Sequence, residues 1–167
     1  MNQIKSNIKI RNIGIEEIHL LVEYRLFYLK ELQGEDNNVN ETHLKTDLED
    51  YFKRTFLENR LIAFLGEMNE KVVSFGAIVI KEIPGDFNKA TYLEGDILNM
   101  YTVPEARQKG ISSLILEKLI EAAKRHGISK LALHSTKDGE NIYRRFGFSE
   151  PEYPYLEKVI NTKIFTH

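Results

Sequence analysis

The chain has 167 residues and a mass of 19.4 kDa, which is the size of one globular domain. Hydrophobic residues make up 42% of it and charged residues 29%, a composition that excludes an intrinsically disordered protein. It contains no cysteine, which excludes disulfides, thiol nucleophiles and thiolate metal sites. The formal net charge is -2, so there is no basic excess of the kind that nucleic-acid binding requires.

The sequence shows neither a secretory signal nor an apolar stretch long enough for a transmembrane helix, so we expect a cytoplasmic protein. Charge is divided unevenly along it. Residues 1–106 carry 12 basic and 18 acidic side chains, whereas residues 107–167 carry 11 basic and 7 acidic ones. Two interpretations stay open: ordinary surface variation, or an anionic ligand on the C-terminal part and a cationic one facing the N-terminal part.

Apolar periodicity and turn residues predict the secondary structure in chain order. The first half is predicted to contain a strand at Ile8–Arg11, a helix at Glu16–Leu32, a helix capped by Asn40 or Thr42, and strands at Leu61–Leu65, Val72–Lys81 and Thr91–Val103. The second half continues with a helix at Gly110–His126, a strand at Ile128–His134, a short helix at Gly139–Arg145 and a final strand from Phe148. Adjacent strands followed by a β-α-β unit indicate one α/β domain over residues 1–167, with a mixed sheet and helices on both faces.

A basic turn joins the strand that ends at Val103 to the helix that begins at Gly110. Backbone N–H groups at a helix start lack intrahelical partners and carry partial positive charge, so such a turn binds anions, phosphate above all. Gly110 lets a phosphate approach the backbone, Arg107 and Lys109 add charge, and Ser112 offers a hydroxyl. The spacing is neither a dinucleotide fingerprint nor a P-loop. The alternative is that Gly110 is only a turn glycine.

A second segment places Tyr143 on the short helix, four residues before Gly147-Phe148. Taken alone, Tyr143 is interpreted as a packing residue with its hydroxyl at the surface. Together, the two segments resemble the GNAT N-acetyltransferase superfamily. Its phosphate signature (Gln or Arg, two residues, Gly, one residue, then Gly or Ala) is matched by residues 107–112, with serine at the last position. Its second signature (Tyr, three residues, Gly-Phe) is matched by residues 143–148.

The resemblance implies a mostly antiparallel sheet and acetyl-CoA as cosubstrate. The implied cofactor contacts are Met100, Tyr101, Thr102 and Val103 on the strand, Arg107, Gln108, Lys109, Gly110, Ile111, Ser112 and Ser113 at the turn, and Asn141. The N–H of Met100 would polarise the thioester carbonyl, and Tyr143 would act as general acid. Thr136 stands where the family often has an asparagine that contacts the pantetheine.

The general base and the acceptor site are less defined by the sequence. Strand alternation places Glu94 and Asp96 on one face and Asn99 on the other. We interpret Glu94 or Asp96 as a base acting through water, the alternative being that both are solvated. Arg25 and Tyr28, three residues apart on the first helix, could line an acceptor site with Asn99, or be a surface arginine and a core aromatic.

We therefore expect transfer of an acetyl group from acetyl-CoA to a primary amine, on a small molecule or a peptide, by direct attack in a ternary complex. A catalytically silent CoA-binding sensor on the same fold and a nucleotide-binding module stay open as alternatives. The histidines show no metal-binding spacing, so no metal is predicted. No nucleic-acid or membrane partner is expected, and a homodimer is left open.

Overall fold

The computed structural model describes residues 8–34 and 40–160, which form two compact units that divide between His134 and Ser135. The first unit contains the strands β1 (Ile8–Asn12), β2 (Leu61–Met68), β3 (Lys71–Pro84), β4 (Thr91–Thr102) and β5 (Ile128–Ala132). Its helices are α1 (Ile18–Gln33), α2 (Glu41–Leu57) and α3 (Ile111–Arg125), with 3-10 turns at Ile15–Glu17 and Pro104–Ala106. The second unit contains α4 (Glu140–Arg145).

The five strands form one sheet in the order β1-β2-β3-β4-β5. Each of the first four runs antiparallel to its neighbour, and β5 runs parallel to β4. The predicted mixed, mostly antiparallel sheet is therefore confirmed. The prediction that a single domain spans residues 1–167 stays a prediction.

One face of the sheet packs against α1 and α2. Leu65 of β2 and Phe75 of β3, which pair directly across the two strands, are fully buried in the same cluster as Leu21 of α1 and Phe52 of α2. Large apolar side chains at helical spacing thus cover this face, which is the burial that stabilises an amphipathic helix on a sheet.

The other face packs against α3, and two glycines make room for it. A Cβ atom on Gly66 would lie 2.8 Å from the Ile111 side chain, and one on Gly76 would lie 2.7 Å from that of Ile115. Both isoleucines are buried. Helices therefore flank both faces of the sheet, as the sequence predicts.

The final strand that the sequence predicts from Phe148 is wrong for residues 148–160, which contain no regular secondary structure. Pro151 and Pro154 interrupt this stretch, and each lacks the N–H that a strand ladder uses. The continuation at residues 161–167 lies outside the described residues. In the part of the chain that the structure describes, no helix is long and apolar enough to cross a membrane.

Candidate active site

Strand β4 is interrupted by a β-bulge, in which Asn99 and Met100 together oppose the single residue Gly76 of β3. Asn99 adopts φ 59°, in the left-handed region that asparagine tolerates better than most residues. The extra residue interrupts the alternation of side chains that holds up to Leu98, and alternation resumes from Met100 with the two faces exchanged.

The bulge changes the face on which the Asn99 side chain lies. Arg25 of α1 donates a hydrogen bond from Nη1 to Asn99 Oδ1 at 2.7 Å, so this side chain points to the α1 face. Asp96 lies on the same face, since it pairs with Val79, whose side chain packs on the α1–α2 core. The prediction that Asn99 lies opposite Glu94 and Asp96 is therefore wrong, because simple alternation does not allow for an inserted residue.

Beyond the bulge, one edge of β4 is open. Strand β5 pairs with β4 only over Leu93–Asp96, and residues 97–102 have no further strand on that side within residues 8–34 and 40–160. The Tyr101 carbonyl accepts a hydrogen bond from Ser74 Oγ (3.0 Å), so it points towards β3. Backbone groups alternate along a strand, so those of Met100 and Thr102 point to the open edge.

This geometry divides the four predicted strand contacts into two pairs. The Val103 N–H donates to the Val73 carbonyl (2.9 Å), so the backbone groups of Tyr101 and Val103 are engaged within the sheet. Only Met100 and Thr102 present backbone groups at the edge, which includes the Met100 N–H that the resemblance implies for the thioester.

The N-terminus of α3 has no side-chain cap. Gly110 takes the N-cap position with φ 80°, Gln108 precedes it with φ 61°, and a Cβ atom on Gly110 would meet nothing within 4 Å. The N–H groups of the first turn, at Ile111, Ser112 and Ser113, lack intrahelical partners. Together with the macrodipole, these N–H groups have the chemistry that favours an anion, and no atom of residues 8–34 or 40–160, apart from the two chain neighbours, lies within 4 Å of an added Cβ on Gly110.

The Ser112 hydroxyl belongs to a chain of three hydroxyls that points into the protein. Ser74 Oγ donates its one proton to the Tyr101 carbonyl, so Thr102 Oγ1, 2.7 Å away, must donate to Ser74 Oγ. Ser112 Oγ, 2.9 Å from Thr102 Oγ1, must in turn donate to Thr102. The hydroxyl proton expected to serve a phosphate is therefore used to fasten α3 to the sheet.

The guanidinium of Arg107 is likewise engaged by other groups of the protein. Its guanidinium contacts Glu31 of α1 (2.5 Å), donates from Nε to the Thr102 carbonyl (2.9 Å) and lies 5.5 Å from the centre of the Tyr101 ring. The hydrogen bond with Arg107 lowers the pKa of Glu31, and Glu31 raises that of Arg107. The charge that Arg107 was expected to add at the turn is thus largely neutralised, and Lys109 bends back to the Glu105 carbonyl (3.0 Å).

Both candidate bases are ion-paired. Glu94 Oε1 lies 2.8 Å from Lys130 Nζ, and the two oxygens of Asp96 lie 3.0 and 3.1 Å from Lys81 Nζ. Tyr28 is half-buried and makes no hydrogen bond within the described residues. The structure therefore brings Arg25 and Asn99 together, whereas Tyr28 is not linked to either of them by a hydrogen bond among the described residues.

In the second unit, Tyr143 is half-buried on α4 and its ring packs edge-on against Phe148, with 5.9 Å between centroids. Thr136, at the position of the family asparagine, accepts the Gly139 N–H with Oγ1 (3.2 Å) and so helps to begin the helix. Asn141 is exposed. The sequence showed Thr136 only as a departure from a signature, whereas here it acts as a local turn former.

Two contributors to the site were missed from the sequence. Tyr24 is buried beneath the bulged half of β4, donates to the Val72 carbonyl (2.7 Å) and packs on Tyr101, and burial raises its pKa to about 12. Glu31, the partner of Arg107, lies 76 positions away in the chain, and no local pattern links the two.

No group of three or more metal-ligating side chains occurs among residues 8–34 and 40–160.

Comparisons with known proteins agree with this architecture. A family model described as "Acetyltransferase (GNAT) family" matches residues 26–148, which is well over half of the chain. The protein belongs to the GNAT acetyltransferase family and is an acyltransferase. The family, fold class and enzyme class predicted from the sequence are therefore confirmed. No curated protein sequence matches the chain.

Solved structures match over nearly the whole chain. A predicted acetyltransferase from Clostridium acetobutylicum, determined with acetyl-CoA, is 29% identical, with a TM-score of 0.77 and coverage of 90% of this chain and 96% of that one. A GCN5-related N-acetyltransferase from Ralstonia eutropha JMP134 is 19% identical, with a TM-score of 0.76 and coverage of 92% and 98%. An aminoglycoside acetyltransferase from an uncultured soil metagenomic sample, in complex with sisomicin, is 9% identical, with a TM-score of 0.69 and coverage of 96% and 99%. The last two show the fold alone.

Proposed function

We propose that the protein transfers an acetyl group from acetyl-CoA to a primary amine by direct attack in a ternary complex. One observation carries the proposal: the open edge of β4 leads, along the chain, into the uncapped N-terminus of α3, where no Cβ covers the backbone at Gly110. The Clostridium relative, which was solved with acetyl-CoA, supports the identity of the donor.

The described residues fit such a donor. An extended arm can pair with a strand edge through main-chain hydrogen bonds, here with the backbone groups of Met100 and the N–H of Thr102, since the Thr102 carbonyl already accepts from Arg107 Nε. A pyrophosphate can bind the free N–H groups of Ile111, Ser112 and Ser113. These backbone groups, rather than the side chains of Arg107 and Ser112, would provide the affinity, since both side chains are engaged elsewhere.

Acetyl-CoA supplies an activated acyl group as a thioester. The Met100 N–H, fixed at the bulge, would donate to the carbonyl oxygen as negative charge develops on it, the type of stabilisation that fixed dipoles give best. The new N–C bond forms as the C–S bond breaks, and the thiolate needs a proton. The family signature supports Tyr143 as the group that gives this proton from its hydroxyl and recovers one from solvent.

The acceptor amine must lose its proton before it attacks, since an alkyl ammonium has a pKa of about 10.4. We assign this step to Glu94 or Asp96, through water, because both lie on β4 before the bulge and on the face of Asn99. Because an amide cannot act as a base, kcat/KM should fall about 100-fold in Glu94→Gln or in Asp96→Asn, whichever variant lacks the base; unchanged values in both would exclude this assignment.

Tyr143→Phe tests the general acid, because it removes the hydroxyl and keeps the ring against Phe148. We expect kcat to fall about 100-fold, within the range of general acid catalysis, and the Kd for acetyl-CoA to change less than about threefold. The measurement is thiol release with a panel of amines, alongside calorimetric binding. Tyr155→Phe, at an exposed tyrosine of the second unit, is the control.

Full turnover in Tyr143→Phe would show that the thiolate leaves without this proton. Wild-type protein that binds acetyl-CoA but turns over no amine would favour the silent sensor. Affinity for NAD or ATP instead of CoA would favour the nucleotide-binding module.

A further inference from the structure

The contact between Arg25 and Asn99 joins α1 to the bulge of β4. Arg25 is half-buried, and its only hydrogen bond within the described residues is the one from Nη1 to Asn99 Oδ1, at 2.7 Å. Asn99 directly precedes Met100, whose N–H points to the open edge. The guanidinium is therefore held one residue from the group that we propose for the thioester oxygen.

The charge of Arg25 is not neutralised by the part of the chain that the structure describes. Nine other lysine or arginine side chains form ion pairs with carboxylates there, at Arg11, Lys30, Lys53, Arg60, Lys81, Arg107, Lys118, Lys130 and Arg144. Arg25 forms no ion pair among these residues, as is also true of eleven other basic side chains, and its one hydrogen bond there is to the neutral amide of Asn99. A guanidinium has five N–H donors in a planar fork, so one bond to Asn99 leaves donors available for a carboxylate.

Asn99 is unusual in a second, independent way. The residue is 2% exposed, and its Nδ2 is the one buried side-chain nitrogen or oxygen among the described residues with no hydrogen-bond partner. An unsatisfied buried donor and a left-handed backbone both lower stability, and such costs are concentrated at functional sites. Here they accompany an amide whose oxygen fixes the position of Arg25.

We propose that Arg25 binds a carboxylate of the acceptor, and that Asn99 is the residue that positions it. The acceptor would then be a primary amine whose own molecule carries a carboxylate, as in an amino acid or a small peptide. This inference rests on the proposed function and narrows its substrate class. It is compatible with the acidic character of residues 1–106, since such an acceptor carries a cationic amine as well.

The kinetic test uses matched pairs of amines that differ only in the carboxylate: lysine with 1,5-diaminopentane, and phenylalanine with 2-phenylethylamine. We expect wild-type protein to favour the carboxylate-bearing member by about tenfold or more in kcat/KM, because a charge-assisted pair is lost with the other. Arg25→Gln should bring that ratio close to one, mainly through KM. Arg125→Gln, which removes an equal charge at the last residue of α3, should keep the wild-type ratio.

Asn99→Gly tests the positioning role, because glycine keeps the left-handed backbone while the amide is removed. The ratio should fall through a higher KM for the carboxylate-bearing member. A ratio near one in wild-type protein, or a preference that survives in Arg25→Gln, would overturn the proposal.

A binding measurement separates this inference from the proposed function. CoA-loaded protein is titrated calorimetrically with N-acetyl-phenylalanine and with N-acetyl-2-phenylethylamine. Arg25-dependent preference for the carboxylate in a protein that acetylates no amine would support the subsite and refute acetyl transfer. Equal binding of the two compounds would overturn the subsite even if amines are acetylated.

Discussion

The two halves of β4 are built differently. From Thr91 to Asp96 the strand pairs regularly with β3, and from Leu93 it pairs with β5 as well; its two carboxylates are paired with lysines. From Ile97 to Thr102 it contains a bulge, a left-handed asparagine and an edge without a strand neighbour among the described residues. Regular pairing uses up the backbone donors and acceptors, whereas the bulged half leaves some available to a ligand.

Deleting Asn99 would make the second half resemble the first. Without the inserted residue, Met100 alone would oppose Gly76, and the strand would alternate regularly. We expect the protein to stay folded while kcat for amine acetylation falls about 100- to 1000-fold, as expected when a donor to a developing oxyanion is misplaced. Deleting Asn88 in the exposed loop between β3 and β4 is the control. A kcat within tenfold of wild type would refute the role given to the bulge.

Gly110→Val tests the anion site at the end of the open edge. The branched side chain would occupy the space in front of the α3 N–H groups, so we expect the Kd for acetyl-CoA to rise about 100-fold or more. Gly127→Val is a matched control, because Gly127 follows the other end of α3 with φ 70° against 80° and an added Cβ is equally unobstructed. Both variants should lose about 1–2 kcal/mol of stability from the strained backbone.

Calorimetry measures the acetyl-CoA affinity of both variants, and thermal unfolding measures their stability. An equal loss of affinity in the two would mean that backbone strain, and not obstruction of the phosphate position, is responsible.

Tyr24→Phe probes the support beneath the bulged half. Removing the hydrogen bond to Val72 should lower the free energy of unfolding by about 1 kcal/mol at neutral pH. The pKa of Tyr24 is raised from 10.0 to about 12, so its contribution to stability is complete below pH 10 and is lost as the pH rises through 12. Wild-type protein should therefore lose stability faster than Tyr24→Phe between those values. Denaturant unfolding across that range measures this, with Tyr51→Phe as control, and parallel pH curves would contradict it.

Local sequence patterns predict the helices and the first five strands, because helix periodicity, turn residues and the two signatures all extend over short stretches of chain. Local sequence patterns could not predict the bulge, since no residue type near Asn99 indicates that β4 has one residue more than β3 at this point. They also could not show that Arg107 and Ser112 point inward, because their partners Glu31 and Thr102 come from other elements. The final strand predicted from Phe148 is wrong over residues 148–160, where Pro151 and Pro154 each lack the N–H that a strand ladder needs.

The open edge of β4 has a further consequence for how the protein associates with itself in solution. Unpaired N–H and C=O groups on a strand are a template for any extended chain, including another copy of the same protein. Under the proposed mode of binding, acetyl-CoA covers this template, and at about 100 times its Kd it would also add about 2.7 kcal/mol to the free energy of unfolding. The cosubstrate would then protect the sheet against edge-to-edge association, and depletion of acetyl-CoA would lower solubility as well as stop turnover.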